Sequence, residues 1–319
     1  MTEILIGLVA FLVTWLTVPL VRSIAIHWNF VDLPNSRKIH KDPLPLLGGG
    51  AIFIGFLISL LLTQLLGYKW NPVNTGIIIG SIMIFIIGLI DDYYKTIGKD
   101  FPALPRFIIQ ILAAYQIVHF GGTVKGIEIP FFESYFIEFS PLLSVVLTIL
   151  WIVGVINVFN FLDGLDGLAP GIASISSMTL VCVALVQGEV NAAFCALALT
   201  GASLGFLKHN FFPARIIMGD SGSTLVGFLL ASIAVIGTMK KITLLSIFVP
   251  VLALGVPIFD GIRVITQRMI NGKAPYVADK THGHHKLMEA GFTQIQAVLM
   301  LYLIGTCFSL TSVILVLIQ

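Results

Sequence analysis

Charge is scarce in this chain: 11% of its 319 residues are Asp, Glu, Lys or Arg, against about a quarter in an ordinary soluble domain. That is too little to cover a water-soluble globule, so a soluble fold is excluded. The charge present nearly balances, at a formal +2, which gives nucleic acid little to bind. Cysteine is equally sparse. Cys182, Cys195 and Cys307 lie far apart within apolar runs and form neither a disulfide framework nor a thiolate metal site. Alternating apolar and polar stretches are missing too, which excludes a transmembrane β-barrel. No low-complexity linker, internal repeat or separate soluble domain is visible.

What the chain has is apolar length, with 57% hydrophobic residues and a mean hydropathy of +1.00. A spanning helix consumes roughly 20 apolar residues. Runs at about 3–26, 47–66, 74–92, 104–120, 141–160, 171–187, 191–207, 221–238, 243–265 and 295–317 therefore predict ten spans. Thr2 and Glu3 precede the first run in place of a basic segment, and no small-residue cleavage site follows it, so it is expected to stay as a membrane helix. The expected fold is an all-α polytopic membrane protein, one integral membrane catalytic domain over residues 1–319. The segment 121–140 reads as a small β-hairpin or interfacial stretch.

Alternating the loops places fourteen of the 18 Lys and Arg residues on the side away from the termini. The positive-inside rule then puts both termini outside. The same partition collects all ten Asp and six of the seven His on the inner side, which that rule does not require. Chemistry at the inner membrane face explains the bias better, although solvated loop charges account for part of it.

Four inner constellations carry that chemistry. In GLIDDYYK, Asp91 and Asp92 end the third span, where a helix dipole disfavours negative charge. They are either interfacial acids offset by Lys95 or a pair that manages a cation or a proton. In NVFNFLDGLDGLAPG, Asn157, Asn160, Asp163 and Asp166 recur every third residue, a slanting stripe if the helix continues. Asp-Gly turns explain part of that pattern. In MGDSGS, Asp220, Ser221 and Ser223 open the eighth span, as N-caps or as a cation and phosphate site. In the loop after the ninth span, ADKTHGHHK sets His282, His284 and His285 beside Lys280 and Lys286, suited to phosphate oxygens. The surrounding ligands are mainly oxygen, which favours Mg²⁺ or Mn²⁺ over zinc.

In this order and on one face, DDYYK, NVFNFLDGLDGLA, MGDSGS and HGHH resemble the polyprenyl-phosphate N-acetylhexosamine-1-phosphate transferase family. The resemblance covers nearly the whole chain, from RKIHKDPLPLLGGG at 37–50 onward. The HxHH form of the histidine motif is similar to the branch that uses UDP-N-acetylglucosamine. The peptidoglycan branch, which transfers phospho-MurNAc-pentapeptide, usually has three consecutive histidines, and Gly283 interrupts them here.

The resemblance implies a Mg²⁺-dependent transfer of N-acetylglucosamine 1-phosphate from UDP-GlcNAc to a polyprenyl phosphate, undecaprenyl phosphate in bacteria, with release of UMP. It implies a multi-pass protein of the bacterial inner membrane with a cytoplasmic active site, and is compatible with a homodimer. Asp220 matches the metal-binding aspartate, with Asn160 at the place of a second ligand. Asp166 matches the uracil-contacting position, and Asn157 and Asp163 are further candidate substrate-binding residues. Asp91 and Asp92 match the catalytic acidic pair, His282, His284 and His285 the histidines near the diphosphate, and Lys41 a catalytic-site lysine. In place of the aromatic often found three residues before the metal aspartate stands Ile217.

A rival reading is an ion-coupled transporter, whose polar residues would mark a pathway near the bilayer midplane. The ionisable residues here gather instead at the inner ends of the spans.

Overall fold

The structure is a computed structural model that describes residues 2–32, 43–129, 135–238, 242–243, 248–270 and 283–318. Its helices are α1 (Thr2–His27), α2 (Gly48–Leu65), α3 (Pro72–Thr96), α4 (Ala103–His119), α5 (Pro141–Leu162), α6 (Leu168–Val186), α7 (Val190–Asn210), α8 (Gly219–Thr238), α9 (Phe248–Ala253), α10 (Gly255–Ile270), α11 (Gly283–Glu289) and α12 (Gln294–Ile318). Eight of them are long and apolar enough to cross a membrane, and α4, at 17 residues, is a shorter apolar helix. The chain is an all-α polytopic membrane protein.

Local chemistry sets several helix starts. Asn71 accepts the Val73 amide at 3.1 Å and Ser140 accepts that of Leu143 at 3.3 Å, each followed by a proline at the first helical position. The run expected as a ninth span over 243–265 is divided. Helix α9 stops at Ala253 and α10 resumes at Gly255, because Pro257 lacks the N–H that would bond the Ala253 carbonyl.

Helix α8 is the centre of the bundle, nearly all of it buried, and packs on α3, α5, α2, α6 and α7. Helix α1 lies against α2 and α7, and α12 against α6 and α9. The expected hairpin is present as strands β3 (Gly126–Ile129) and β4 (Tyr135–Glu138), paired Ile127 to Ile137, with β5 (Ile242–Thr243) added parallel to β3. At the opposite end of α8, β1 (Val31–Asp32) and β2 (Leu44–Pro45) form a short antiparallel pair. The chain after β2 docks on the approach to α8: Ile217 N donates to Pro45 O at 2.9 Å, and Gly48 N and Gly49 N donate to the carbonyls of Ile217 and Met218. A Cβ on Gly49 would stand 2.4 Å from Gly222 Cα, so the starts of α2 and α8 touch backbone to backbone.

Candidate active site where α3, α4, α5 and α8 meet

The last turn of α3 meets the first turn of α8. Asp91 Oδ2 accepts from Arg106 Nη1 of α4 at 2.6 Å, and the same nitrogen lies 3.9 Å from Asp220 Oδ2. One guanidinium thus bridges two carboxylates from different helices. Lys95, one turn beyond Asp91 on α3, places Nζ 2.6 Å from Asp220 Oδ1. Asn160 of α5 donates its amide to the same Asp220 oxygen at 3.2 Å and to Ser223 Oγ at 2.8 Å. Three candidates separated by up to 129 positions, Asp91, Asn160 and Asp220, are therefore brought into one cluster, and Asp92 joins it from α3. Arg106 and Lys95 belong to it as well, although neither was among the candidate site residues.

The second acid of the pair is oriented differently. Asp92 is fully buried and accepts the backbone amides of Asp220 and Ser221, at 2.7 and 2.9 Å. The N-terminus of α8 is thus capped from α3 rather than by the Asp and Ser of MGDSGS.

The four-residue stripe is corrected. Helix α5 ends at Leu162, so only Asn157 and Asn160 share its surface. Asp163 is the C-cap, and the chain turns through Gly164 to Gly167, whose φ of +80° is the left-handed conformation that glycine tolerates. Asp166 reaches across to accept the Ala214 amide at 3.0 Å. Asn210, which the sequence reading omitted, is buried and clamps this turn, accepting Gly167 N at 2.9 Å and donating to Ile216 O at 2.8 Å. Tyr302 of α12 donates to the Gly167 carbonyl. Asn157 donates to Gln110 Oε1 of α4 at 2.8 Å. Half-buried Asp163 has its carboxyl pKa raised, first by desolvation and then by the negative charge of Asp220.

His284 is buried on α11, its ring against the Asp163 turn: a Cβ on Gly164 would lie 2.5 Å from His284 Nε2. Gly283 N donates to Asp260 Oδ1 of α10 at 2.7 Å, which ties the start of α11 to α10. A cavity of about 240 Å³ is lined by Asp260, Arg263 and His284 together with apolar side chains of α5, α10 and α12. Lys41 and His282 lie outside the described residues, as does the side chain of His285.

No group of three or more His, Cys, Asp or Glu side chains among the described residues is arranged to cage a metal. The Asp220 carboxylate and the side-chain carbonyl oxygen of Asn160 are hard donors from neighbouring helices, fewer than a complete coordination shell. That set fits Mg²⁺ or Mn²⁺, since Mg²⁺ is usually held by one or two carboxylates with waters and substrate phosphates filling the rest.

Comparison with known proteins gives the family of the chain. A family model described as "Glycosyl transferase family 4" matches residues 74–238, which include Asp91, Asp92, Asn160 and Asp220. The chain is 39% identical over 311 residues to the "Probable undecaprenyl-phosphate N-acetylglucosaminyl 1-phosphate transferase" of Bacillus subtilis (strain 168), covering 96% of this chain and 84% of that protein. It is 36% identical to the "Decaprenyl-phosphate N-acetylglucosaminephosphotransferase" of Mycolicibacterium smegmatis, over 94% of this chain and 78% of the relative. An "Undecaprenyl-phosphate alpha-N-acetylglucosaminyl 1-phosphate transferase" of Pasteurella multocida is 32% identical, over 92% and 81%.

Proposed function

The chain belongs to glycosyl transferase family 4, among the polyprenyl-phosphate GlcNAc-1-phosphate transferases, and from that premise we propose that it moves GlcNAc 1-phosphate from UDP-GlcNAc to a polyprenyl phosphate. It is an enzyme that transfers a sugar 1-phosphate. The observation that carries the reading is the Asp91, Arg106, Asp220, Lys95 cluster, where the carboxylates of two helices share cationic side chains at one end of the bundle. Such a site suits two phosphorylated substrates, one anchored in the bilayer and one arriving from water. The positive-inside distribution supports a cytoplasmic active site in a bacterial inner membrane, with both termini on the other side.

The acceptor phosphate, a monoester with a second pKa near 6, is already largely dianionic at neutral pH. Its oxygen attacks the donor phosphorus that bears the sugar. A new P–O bond forms, the bond to the bridging oxygen breaks, and that oxygen leaves with UMP. Asp91 aligns the acceptor or takes its residual proton. Lys95 and Arg106 can redirect the hydrogen bonds they donate from carboxylate to phosphate oxygens, spreading charge as the transition state forms. Asp220 and Asn160 would hold Mg²⁺, which supplies Lewis-acid neutralisation of the diphosphate. In this reading His284, packed against the Asp163 turn, supports the donor's phosphates, and Asp166 with its clamped turn meets the base.

The test is UMP release and lipid-linked product formation in detergent with UDP-GlcNAc, polyprenyl phosphate and Mg²⁺. Product from UDP-GlcNAc and none from UDP-MurNAc-pentapeptide is expected. Efficient use of the peptide-bearing donor would move the chain to the peptidoglycan branch, and turnover unaffected by a chelator would remove the metal.

A further inference from the structure

The adjacent acids of the DD pair do different work. Neighbouring helix residues project about 100° apart, so two carboxylates adjacent in sequence need not face one substrate. Asp91 is bonded to a cationic side chain, a contact that a phosphate or metal can replace. Asp92 is bonded to two backbone amides of the first turn of α8, groups that have no partner within their own helix. Both its oxygens are used, and none of its surface is exposed.

The surrounding backbone is shaped around that carboxylate. Gly88 lies one turn before Asp92 on α3, and a Cβ there would stand 2.4 Å from Ser221 Cα. Only without that Cβ can the start of α8 come close enough for Asp92 to reach both amides. Gly219 has a φ of +75°, and a Cβ there would stand 2.6 Å from Asp92 Oδ2. The charge at the end of α3, unfavourable for its own helix dipole, is favourable at the N-terminus of α8.

We infer that Asp92 is a positioning residue rather than a proton carrier: its carboxylate fixes the first turn of α8 and thereby the place and direction of the Asp220 side chain. This rests on the proposed function for the role of Asp220, while the anchoring of α8 stands on the geometry alone. Asp92 acts on metal affinity through Asp220. Its charge is not consumed in the reaction.

Asp92→Asn tests this, because it keeps the shape and one acceptor oxygen but turns an NH₂ toward the second amide. Backbone hydrogen exchange over residues 219–223 should quicken about tenfold, the scale of a weakened helix cap. The dissociation constant for Mn²⁺, followed by electron paramagnetic resonance on purified protein, should rise by a similar factor. At saturating Mg²⁺, kcat should return to within about tenfold of wild type, since one cap bond survives. Unchanged exchange and Mn²⁺ affinity, with kcat lost at every Mg²⁺ concentration, would overturn the inference and make Asp92 a direct participant.

Should Asp92→Asn fail to fold, Gly88→Ala decides the point, because it displaces the start of α8, and Asp220 with it, while leaving every carboxylate chemically unchanged. Faster exchange over 219–223 with weaker Mn²⁺ binding is expected. Loss of kcat with unchanged exchange and Mn²⁺ binding would overturn the inference. Wild-type protein that releases no UMP counts against the proposed reaction, whereas the exchange readout still judges Asp92.

Discussion

Lys95 Nζ stands 2.6 Å from Asp220 Oδ1, a contact that joins the last turn of α3 to the first turn of α8. The lysine therefore occupies an oxygen that a divalent cation would also use. Binding of a cation at Asp220 requires Lys95 to change partner, and an incoming phosphate oxygen is the natural one. Lys95→Met should tighten Mn²⁺ binding to the substrate-free protein, because a competing cation is gone. The same variant should lower kcat by about 10²-fold or more, on the scale of a lost transition-state contact. Mn²⁺ binding and UMP release measured on one preparation check both, and weaker Mn²⁺ binding would assign Lys95 a purely supporting role.

Asp220→Asn should remove turnover by on the order of 10³-fold, as loss of a preorganised electrostatic group does, and should flatten the response to Mg²⁺. Folding should survive, because the cap of α8 comes from Asp92 and not from the Asp220 side chain. UMP release across a Mg²⁺ titration, with a melting curve in detergent, is the measurement. Near-normal activity with an unchanged Mg²⁺ requirement would remove Asp220 from the metal site.

The Asp91 carboxylate is nearly buried, while its partner Arg106 is about a third exposed, with side-chain exposures of 4% and 35%. Arg106→Leu leaves that carboxylate without its guanidinium. A stability loss of roughly 1–3 kcal/mol is expected for an unsatisfied buried polar group, toward the lower end because Arg106 is open to solvent. Adding Asp91→Asn should recover most of the stability and none of the activity. A double-mutant cycle in thermal unfolding and UMP release reads the two effects separately.

Asp163 supplies the pH-dependent case. Its carboxyl binds a proton more readily in the folded protein than in the unfolded chain, because burial and the Asp220 charge disfavour its ionised form. It costs no stability below the ordinary carboxylate range. As pH rises above that range the unfolded chain ionises first, stability falls, and the penalty levels off once the folded group has also ionised. Asp163→Asn should therefore raise the melting temperature near pH 8 more than near pH 5. An equal rise at both would show that charge is not the cause.

Hydropathy made the membrane bundle legible, and the motifs named Asp91, Asn160 and Asp220, which packing brings into one cluster. Four things escaped for physical reasons. Periodicity alone continues the Asn157 to Asp166 stripe along one helix, but the Gly164 to Gly167 turn breaks it, and Asp166 is directed to Ala214. Arg106 sits fifteen residues beyond Asp91, on the next helix, where only packing brings the two together. Asp92 resembled its neighbour in every sequence property, and its different work depends on the amides of a helix 128 positions away. Proline in the run expected as the ninth span was visible, but where α9 would yield to α10 depends on a single missing N–H at Pro257.

The last prediction concerns His284 and the glycine it packs against. If the imidazole supports the donor's phosphates, His284→Ala should raise the KM for UDP-GlcNAc with a smaller change in kcat, since it removes binding shared by ground and transition states. Gly164→Ala approaches the same contact from the other side. Its Cβ would lie 2.5 Å from Nε2, so the ring must swing away while remaining in the protein. Both variants should raise donor KM, and the double variant should resemble His284→Ala alone, because Gly164→Ala acts only through that ring. The KM for the polyprenyl phosphate should hardly move. Steady-state kinetics with donor and lipid varied separately make the comparison. Additive losses in the double variant, or losses confined to kcat, would show that His284 does not hold the donor.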